Sequence, residues 1–413
     1  MTILSRLVRV SSGRRAARKY GRGNRMKEQN DTDVKTIFTL TMLHFMADFY
    51  ISFITPLYPA FVGKLSLSLA QIGLIAGTMR VMAFVVQPAV GYFADRYRSR
   101  VFIIGGPLLT ILFVSLAGRA GSFYELLSFV MIASIGSSLF HPSTAGMIAN
   151  YAGRHFGFCI SIFNMGGTLA FGVGPLFITS LVNRYGLESM LWTAAPGMLL
   201  MALLYRRTPR PLGEGLRGQG FAAAIKAAFG KAWKMVLLIW VVMVLRTFVT
   251  QSFLTFAPIH FSRQGYSLVA IGLVISLFTT AGAVSGLIAG RLSDRIGYRP
   301  IFYFAFILAT PALYLLLFLP GKWIYPASAV AGFLIFATLP LGLVMAQKLA
   351  PDGKSMVSSL MMGLGQGIGG MLTPVVGMAA EFFSIPAVLS VLATLPVLSL
   401  ALVRFFPEEQ LRR

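Results

Sequence analysis

The chain has 413 residues, 56% of them hydrophobic and only 12% charged, with a mean hydropathy of +0.75 and a formal charge of +23. Soluble domains carry roughly 25% charged residues, so this composition excludes a water-soluble fold, which could not hide so much apolar surface. The single cysteine, Cys159, excludes an intrachain disulfide and leaves the redox compartment unread.

The first 25 residues, MTILSRLVRVSSGRRAARKYGRGNR, are Arg-rich and lack acids. They read as a basic cytoplasmic tail attracted to anionic lipid, or as sequence upstream of a start at Met26, with an organellar transit segment as the third reading. They have no apolar h-region, so a secretory signal is not expected.

Twelve apolar runs follow, at 36–62, 69–91, 101–118, 122–148, 157–183, 188–205, 232–261, 267–290, 301–319, 323–346, 355–382 and 385–405. A membrane-spanning helix needs about 20 mostly apolar residues. Gly and Pro inside such runs are tolerable in lipid, because neighbouring helices pack against the one and cover backbone freed by the other. Alternation at period two is absent, which argues against a β-barrel. The expected fold class is therefore an all-α membrane protein with 12 transmembrane helices.

Orientation follows from Lys and Arg. With the N-terminal tail in the cytoplasm, the cytoplasmic segments hold 28 of these residues and the opposite loops hold 5. The positive-inside rule then places both termini in the cytoplasm. It also accounts for the positive charge, which is spread over loops, so no nucleic-acid partner is expected.

Two charged stretches nearly repeat: GYFADRYRSR from Gly91 and GRLSDRIGYRP from Gly290. The offset is 199 residues, and it holds elsewhere: Ile72-Gly73-Leu74 falls on Ile271-Gly272-Leu273, Gly166 on Gly365 and Pro175 on Pro374. Six helices is an even number, so the two halves share one orientation. The expected organisation is a basic tail (1–35), a six-helix bundle (36–205), a Pro/Gly-rich basic linker (206–231), a second six-helix bundle (232–405) and a short tail (406–413). Parallel repeats of this kind build transporters with the substrate site between the halves.

The pair of charged stretches resembles the loop 2–3 signature of the major facilitator superfamily, Gly-x-x-x-Asp-Arg-x-Gly-Arg-Arg/Lys, and its echo in loop 8–9. Gly91, Asp95, Arg96 and Arg100 match the first copy, with Arg98 where Gly is usual; Gly290, Asp294, Arg295, Gly297 and Arg299 match the second. The resemblance implies two six-helix bundles and a conformational latch formed by Gly91, Asp95, Arg96 and Arg100, echoed by Gly290, Asp294, Arg295 and Arg299. The glycines are expected where a helix ends. The acids are expected near helix starts, paired with neighbouring arginines. A stretch in the fourth and fifth spans, LFHPSTAGMIANYAGRHFGFCISIFNMGGTLAFGVGPLF, is similar to fosmidomycin-resistance-type efflux proteins, as is LHFMADFYISFITPLYP in the first. Asn164 and Thr168 flank the Gly-Gly and Ser143 follows His141-Pro142, where that subfamily carries other polar residues, so its substrate need not transfer.

The fifth span concentrates Gly166, Gly167, Gly172, Gly174 and Pro175. Small residues let helices approach closely and slide; plain packing and an exporter's Gly-Pro device are both open here.

Of 13 acids only Asp48 lies deep in a span, and of 36 bases only Arg80 and Arg246 lie near mid-span. An ionised residue at that depth costs about 2.5–3.5 kcal/mol even on the lenient insertion scale, and such residues mark pathways. His44 and Asp48 are four apart on one helix face. A carboxyl poised between desolvation and a nearby positive charge can load and release protons. Asp48, His44 and His141 are the proton-coupling candidates. Against this stand a static Asp48–Arg80 salt bridge, a helix-to-helix hydrogen bond at His44, and a bond from His141 to backbone freed by Pro142.

Arg80 and Arg246 are the candidate anion binders, because a guanidinium matches carboxylate or phosphonate in a bidentate way. Thr250, Gln251, Asn164 and Gln366 would supply neutral hydrogen bonds; Tyr50 and Tyr58 read as core or interface anchors. There is no nucleophile with a base, no metal-ligand spacing and no phosphate loop. No enzyme, catalytic residue, metal or cofactor is therefore expected, and the chain is read as a monomer whose partners are a small molecule, protons and lipid. The expected function is proton-coupled efflux of a small organic compound, anionic or zwitterionic. The alternatives are a proton-coupled importer of an organic anion and a non-transporting membrane sensor or assembly partner.

Overall fold

The computed structural model describes residues 32–97, 100–153, 156–209, 233–349, 361 and 365–407. Among them every regular element is helical and no strand occurs. Residues 1–31 of the expected tail (1–35), most of the 206–231 linker and the end of the chain lie outside the described residues.

The first span is α1 (Val34–Ile51) continued by a 3₁₀ turn at Thr55–Leu57 and α2 (Tyr58–Leu65). Asp33 starts it by accepting from the backbone N–H of Thr36, satisfying one of the free donors at a helix N-terminus. The next spans are α3 (Leu69–Tyr97), α4 (Gly106–Ala117), α5 (Phe123–Tyr151), α6 (Phe156–Tyr185) and α7 (Ala194–Tyr205). Ser122 caps α5 in the same way. After the linker come α8 (Trp233–Arg263), α9 (Leu268–Ile296) and α10 (Tyr298–Phe318). The tenth span is split into α11 (Ile324–Ala337) and α12 (Leu339–Leu349), and the eleventh into α13 (Gly365–Met371) and α14 (Thr373–Phe383); α15 (Ile385–Val403) is the last.

Ten helical stretches among the described residues are long and apolar enough to cross a membrane, and two shorter apolar ones, Phe102–Ala117 and Gly367–Phe383, complete the twelve expected spans. Large apolar side chains such as Leu199, Leu203, Leu287, Phe304 and Leu398 point outward. A soluble monomer rarely exposes so extensive an apolar surface; in a bilayer it meets lipid.

The repeat is visible in the fold. α3 and α9 are both 29 residues long and begin 199 residues apart. Equivalent positions also meet equivalent partners. Gly73 on α3 lies against Thr373 and Pro374 on α14, and Gly272 on α9 lies against Pro175 and Thr179 on α6. A Cβ on Gly73 would fall 2.6 Å from the Thr373 carbonyl oxygen, so only glycine allows this approach. Two polar contacts accompany the seam. The Thr373 hydroxyl donates to the Gly73 carbonyl at 3.0 Å, and Glu381 accepts from the backbone N–H of Ala70 at 2.9 Å. The halves thus close at the face where α3 and α9 begin, opposite the charged repeats.

The charged repeats differ from expectation. Gly91 and Gly290 are not helix ends: α3 continues to Tyr97 and α9 to Ile296. The apolar run stops at the glycine, but the helical ladder carries the charged residues on beyond it. The turn after α9 is made at Gly297, with φ of 79°, a left-handed conformation that suits glycine. A Cβ at Gly290 would meet nothing within 4 Å. Asp294 therefore sits in the last turn of α9 rather than at a helix start. It is exposed and forms no ion pair among the described residues, and Arg295 is exposed beside it. Arg299 instead donates to the backbone carbonyls of Arg404 and Phe406, tying the start of α10 to the end of α15. Arg100 stacks its guanidinium over Tyr205, 5.7 Å from the ring centroid. The side chains of Gly91's neighbours Asp95 and Arg96 lie outside the described residues.

Candidate functional site

The deep acid sits between two histidines. Asp48 Oδ2 is 3.2 Å from His44 Nε2, one turn away on α1, and Asp48 Oδ1 is 3.2 Å from His141 Nε2 on α5. The other nitrogen of His44, Nδ1, is 2.8 Å from the Phe163 carbonyl oxygen on α6. The His44 ring also stacks on the Phe163 ring, with centroids 4.2 Å apart. His141 Nε2 is 3.3 Å from the Ser137 hydroxyl, one turn back on α5. The Asp48 side chain is 8% exposed while that of His141 is 30% exposed, so His141 is the member that reaches open space.

The glycines of α6 make this arrangement possible. A Cβ on Gly167 would fall 2.5 Å from Asp48 Oδ2 and 2.7 Å from His44 Nε2. Gly166 packs on the Thr41 carbonyl and Gly174 on the Phe49 carbonyl, all on α1, while Gly172 faces Thr280 on α9. α6 is therefore a small-residue strip with the proton candidates on one side and the other half of the protein on the other. Pro175 lies inside α6, and its carbonyl accepts from the Thr179 hydroxyl at 2.7 Å.

The three donors His44, Asp48 and His141 lie within 4.8 Å of one another, the one group among the described residues from which a metal could be held. Sequence spacing does not reveal it, because the third member is on another helix. Both 3.2 Å contacts are already accounted for as hydrogen bonds.

Arg80 does not form a salt bridge with Asp48. Its Nη2 donates to the Gln251 side-chain oxygen on α8 at 2.9 Å, linking the two halves, and it stays within electrostatic reach of Asp48 and Tyr58. Arg246, also on α8, is 4% exposed. It donates to the Thr247 hydroxyl at 3.1 Å and to the Ile335 carbonyl at 3.5 Å, and its guanidinium lies over the Phe336 ring. Among the described residues its Nε has no hydrogen-bond partner and no acid pairs with it. Thr250 donates its hydroxyl to the Arg246 carbonyl and so serves the helix backbone. Asn164 is exposed, and the side chain of Gln366 lies outside the described residues. Among the described residues Arg80 and Arg246 share no partner: one guanidinium bonds Gln251, the other Thr247 and Ile335. Tyr50 is buried in the core, where its hydroxyl donates to the Thr193 carbonyl.

The family pattern of the Major Facilitator Superfamily matches residues 40–374. The chain belongs to the Major Facilitator Superfamily. It is 26% identical over 375 residues to the fosmidomycin resistance protein of Escherichia coli (strain K12), covering 90% of this chain and 92% of that one. It is 23% identical over 306 residues to the multidrug resistance protein MdtG of Serratia proteamaculans (strain 568), covering 70% and 73%. Two solved folds are similar. One is the bacterial homologue of the human lysosomal transporter Spinster, inward-facing and unoccupied, with TM-score 0.73, 20% identity, and 91% and 95% coverage. The other is the nucleoside transporter NupG, with TM-score 0.71, 16% identity, and 91% and 100% coverage. The chain is thus a multi-pass membrane transporter with efflux-type relatives and not an enzyme.

Proposed function

We propose that this protein is a proton-coupled exporter of a small organic anion or zwitterion, working by alternating access in a bacterial inner membrane with both termini in the cytoplasm. The observation that carries the proposal is Asp48 held between His44 and His141. It is the only acid deep in a span, and its partners are protonatable groups rather than a permanent cation. A carboxylate locked to an arginine would stay ionised; one held by imidazoles can exchange protons as access changes. The substrate class rests on Arg246, a buried guanidinium with no acid paired to it among the described residues, which favours an incoming carboxylate or phosphonate. Arg80 would join it once its bond to Gln251 opens. With cytoplasmic termini, the Gly–Pro seams close the outer face. Efflux is favoured over import by the names of the relatives. The two bundles at 36–205 and 232–405 are taken as the rigid bodies that rock, and a single chain as the transporting unit.

The test is proton flux in proteoliposomes holding purified protein, challenged with carboxylates, phosphonates and cationic drugs. Proton movement driven by an anion or zwitterion is expected. Movement driven only by cations, or by none of the panel, would overturn the proposal.

A further inference from the structure

The hydrogen-bond pattern around His44 fixes how many protons the site contains. A backbone carbonyl can only accept, so the Nδ1 that faces the Phe163 oxygen at 2.8 Å must carry a hydrogen. The ring's other nitrogen, Nε2, faces Asp48 Oδ2 at 3.2 Å. If that nitrogen were bare and the carboxylate ionised, two lone pairs would face each other in a buried setting. A proton therefore lies between them. Either an imidazolium donates to a carboxylate, or a neutral imidazole accepts from a carboxylic acid. Both count the same: one proton more than a neutral imidazole and a carboxylate. His141 needs no extra one, because its neutral tautomer with a hydrogen on Nε2 donates to Asp48 Oδ1.

We propose that the His44–Asp48 pair holds one transported proton in this conformation, that the Phe163 carbonyl fixes the count, and that loss of the proton drives α1 and α6 apart. The proposal rests on the proton-coupled reading above and names the atoms that carry it out. Among the described residues the other charged group within electrostatic reach of Asp48 is Arg80 from α3, besides His141 from α5. α4 contains no ionisable residue, and those of α7 and the charged end of α6, Arg184, lie at span ends. With the proton, His44 and Asp48 together are neutral. Without it, they carry one negative charge and their facing lone pairs repel. Gly167 is packed against both atoms, so their separation must displace α6. α6 in turn packs on the other half: Gly172 lies against Thr280 on α9, and the Thr279 hydroxyl is 2.9 Å from the Phe171 carbonyl and equally close to that of Ile275 on its own helix. Proton loss thus acts through α6 on the seam between the halves.

The experiment uses full-length, chelator-treated protein in lipid near neutral pH, with ¹⁵N-labelled histidine. Nitrogen NMR reads the protonation of each His44 nitrogen, with the signal assigned by its absence in His44→Gln, and difference infrared spectroscopy against Asp48→Asn reads the Asp48 carboxyl. Two patterns support the proposal: His44 with both nitrogens protonated, or Nδ1 alone protonated with Asp48 as the acid. A neutral His44 beside an ionised Asp48, or a His44 protonated on Nε2 alone, overturns it. So does a pattern that appears only when zinc is restored, which would assign the three donors to a metal. His44→Asn adds a functional arm, because its amide can keep the Phe163 bond but cannot carry the proton; at least a ten-fold loss of proton-driven flux is expected while the fold is kept. A defect in Asp48→Asn transport combined with an overturning spectrum would retain proton coupling and reject only this count.

Discussion

Arg80 and Gln251 hold one another across the two halves, guanidinium to amide oxygen, at 2.9 Å. Each is a candidate for substrate binding on sequence grounds, and in this conformation each satisfies the other. The bond must break for the halves to separate at this depth or for a substrate to claim Arg80. A hydrogen bond to a charged group is worth about 1.5–3 kcal/mol. Gln251→Ala should therefore shift the population away from this conformation about ten-fold or more. Distances between spin labels at the facing ends of α3 and α14 check it: a new, longer population is expected, and an unchanged distribution would make the bond incidental.

Arg246 is a buried cation with which no acid pairs among the described residues. Arg246→Lys keeps the charge but loses the planar fork. Breaking a buried, bidentate pair costs on the order of 2–5 kcal/mol, so affinity for a carboxylate or phosphonate should fall at least ten-fold. Binding titrations on both proteins, with thermal stability alongside, check this. Equal affinity would make Arg246 a structural residue that serves Ile335 and Phe336.

Gly167 leaves no room for a methyl group beside Asp48 and His44. Overpacking typically costs about 1–3 kcal/mol. Gly167→Ala should lower thermal stability by that order and uncouple transport. Gly63→Ala, where an added Cβ meets nothing within 4 Å, should do neither. Similar behaviour of the two variants would show that the small-residue strip of α6 is not tuned to the acid.

The fold was legible because its determinants are local. Apolar runs marked the spans, and the 199-residue register aligned α3 with α9, Gly73 with Gly272 and Pro175 with Pro374; that each glycine meets the proline of the other half is seen only in the packing. His44 with Asp48 was legible for the same reason, since four residues make one helical turn. His141 could be named but not placed. The Phe163 carbonyl could not be named at all, because every residue has one and only packing selects which. Asp95 and Asp294, both expected at helix starts, were misplaced because hydropathy marks where the membrane ends, and each helix runs on past that point.

Asp95 lies in the first charged repeat, near the C-terminal end of α3. Its matched signature points to a latch on the face opposite the Gly–Pro seams. Asp95→Asn should lengthen label distances between the cytoplasmic ends of the second and eleventh spans, with Asp294→Asn, exposed and with no ion pair among the described residues, having less effect. Equal effects, or none, would reduce the first copy to a topology signal.

The central claim is that Asp48 carries the coupling proton. Counterflow and uphill transport should be measured on Asp48→Asn in proteoliposomes, with the anion that moves protons in wild-type protein. The account predicts that uphill transport is abolished while substrate exchange stays measurable, because the neutral amide fixes the site in one charge state without closing the pathway. If Asp48→Asn still concentrates its substrate against a gradient at the expense of protons, the proton travels elsewhere and the account is wrong.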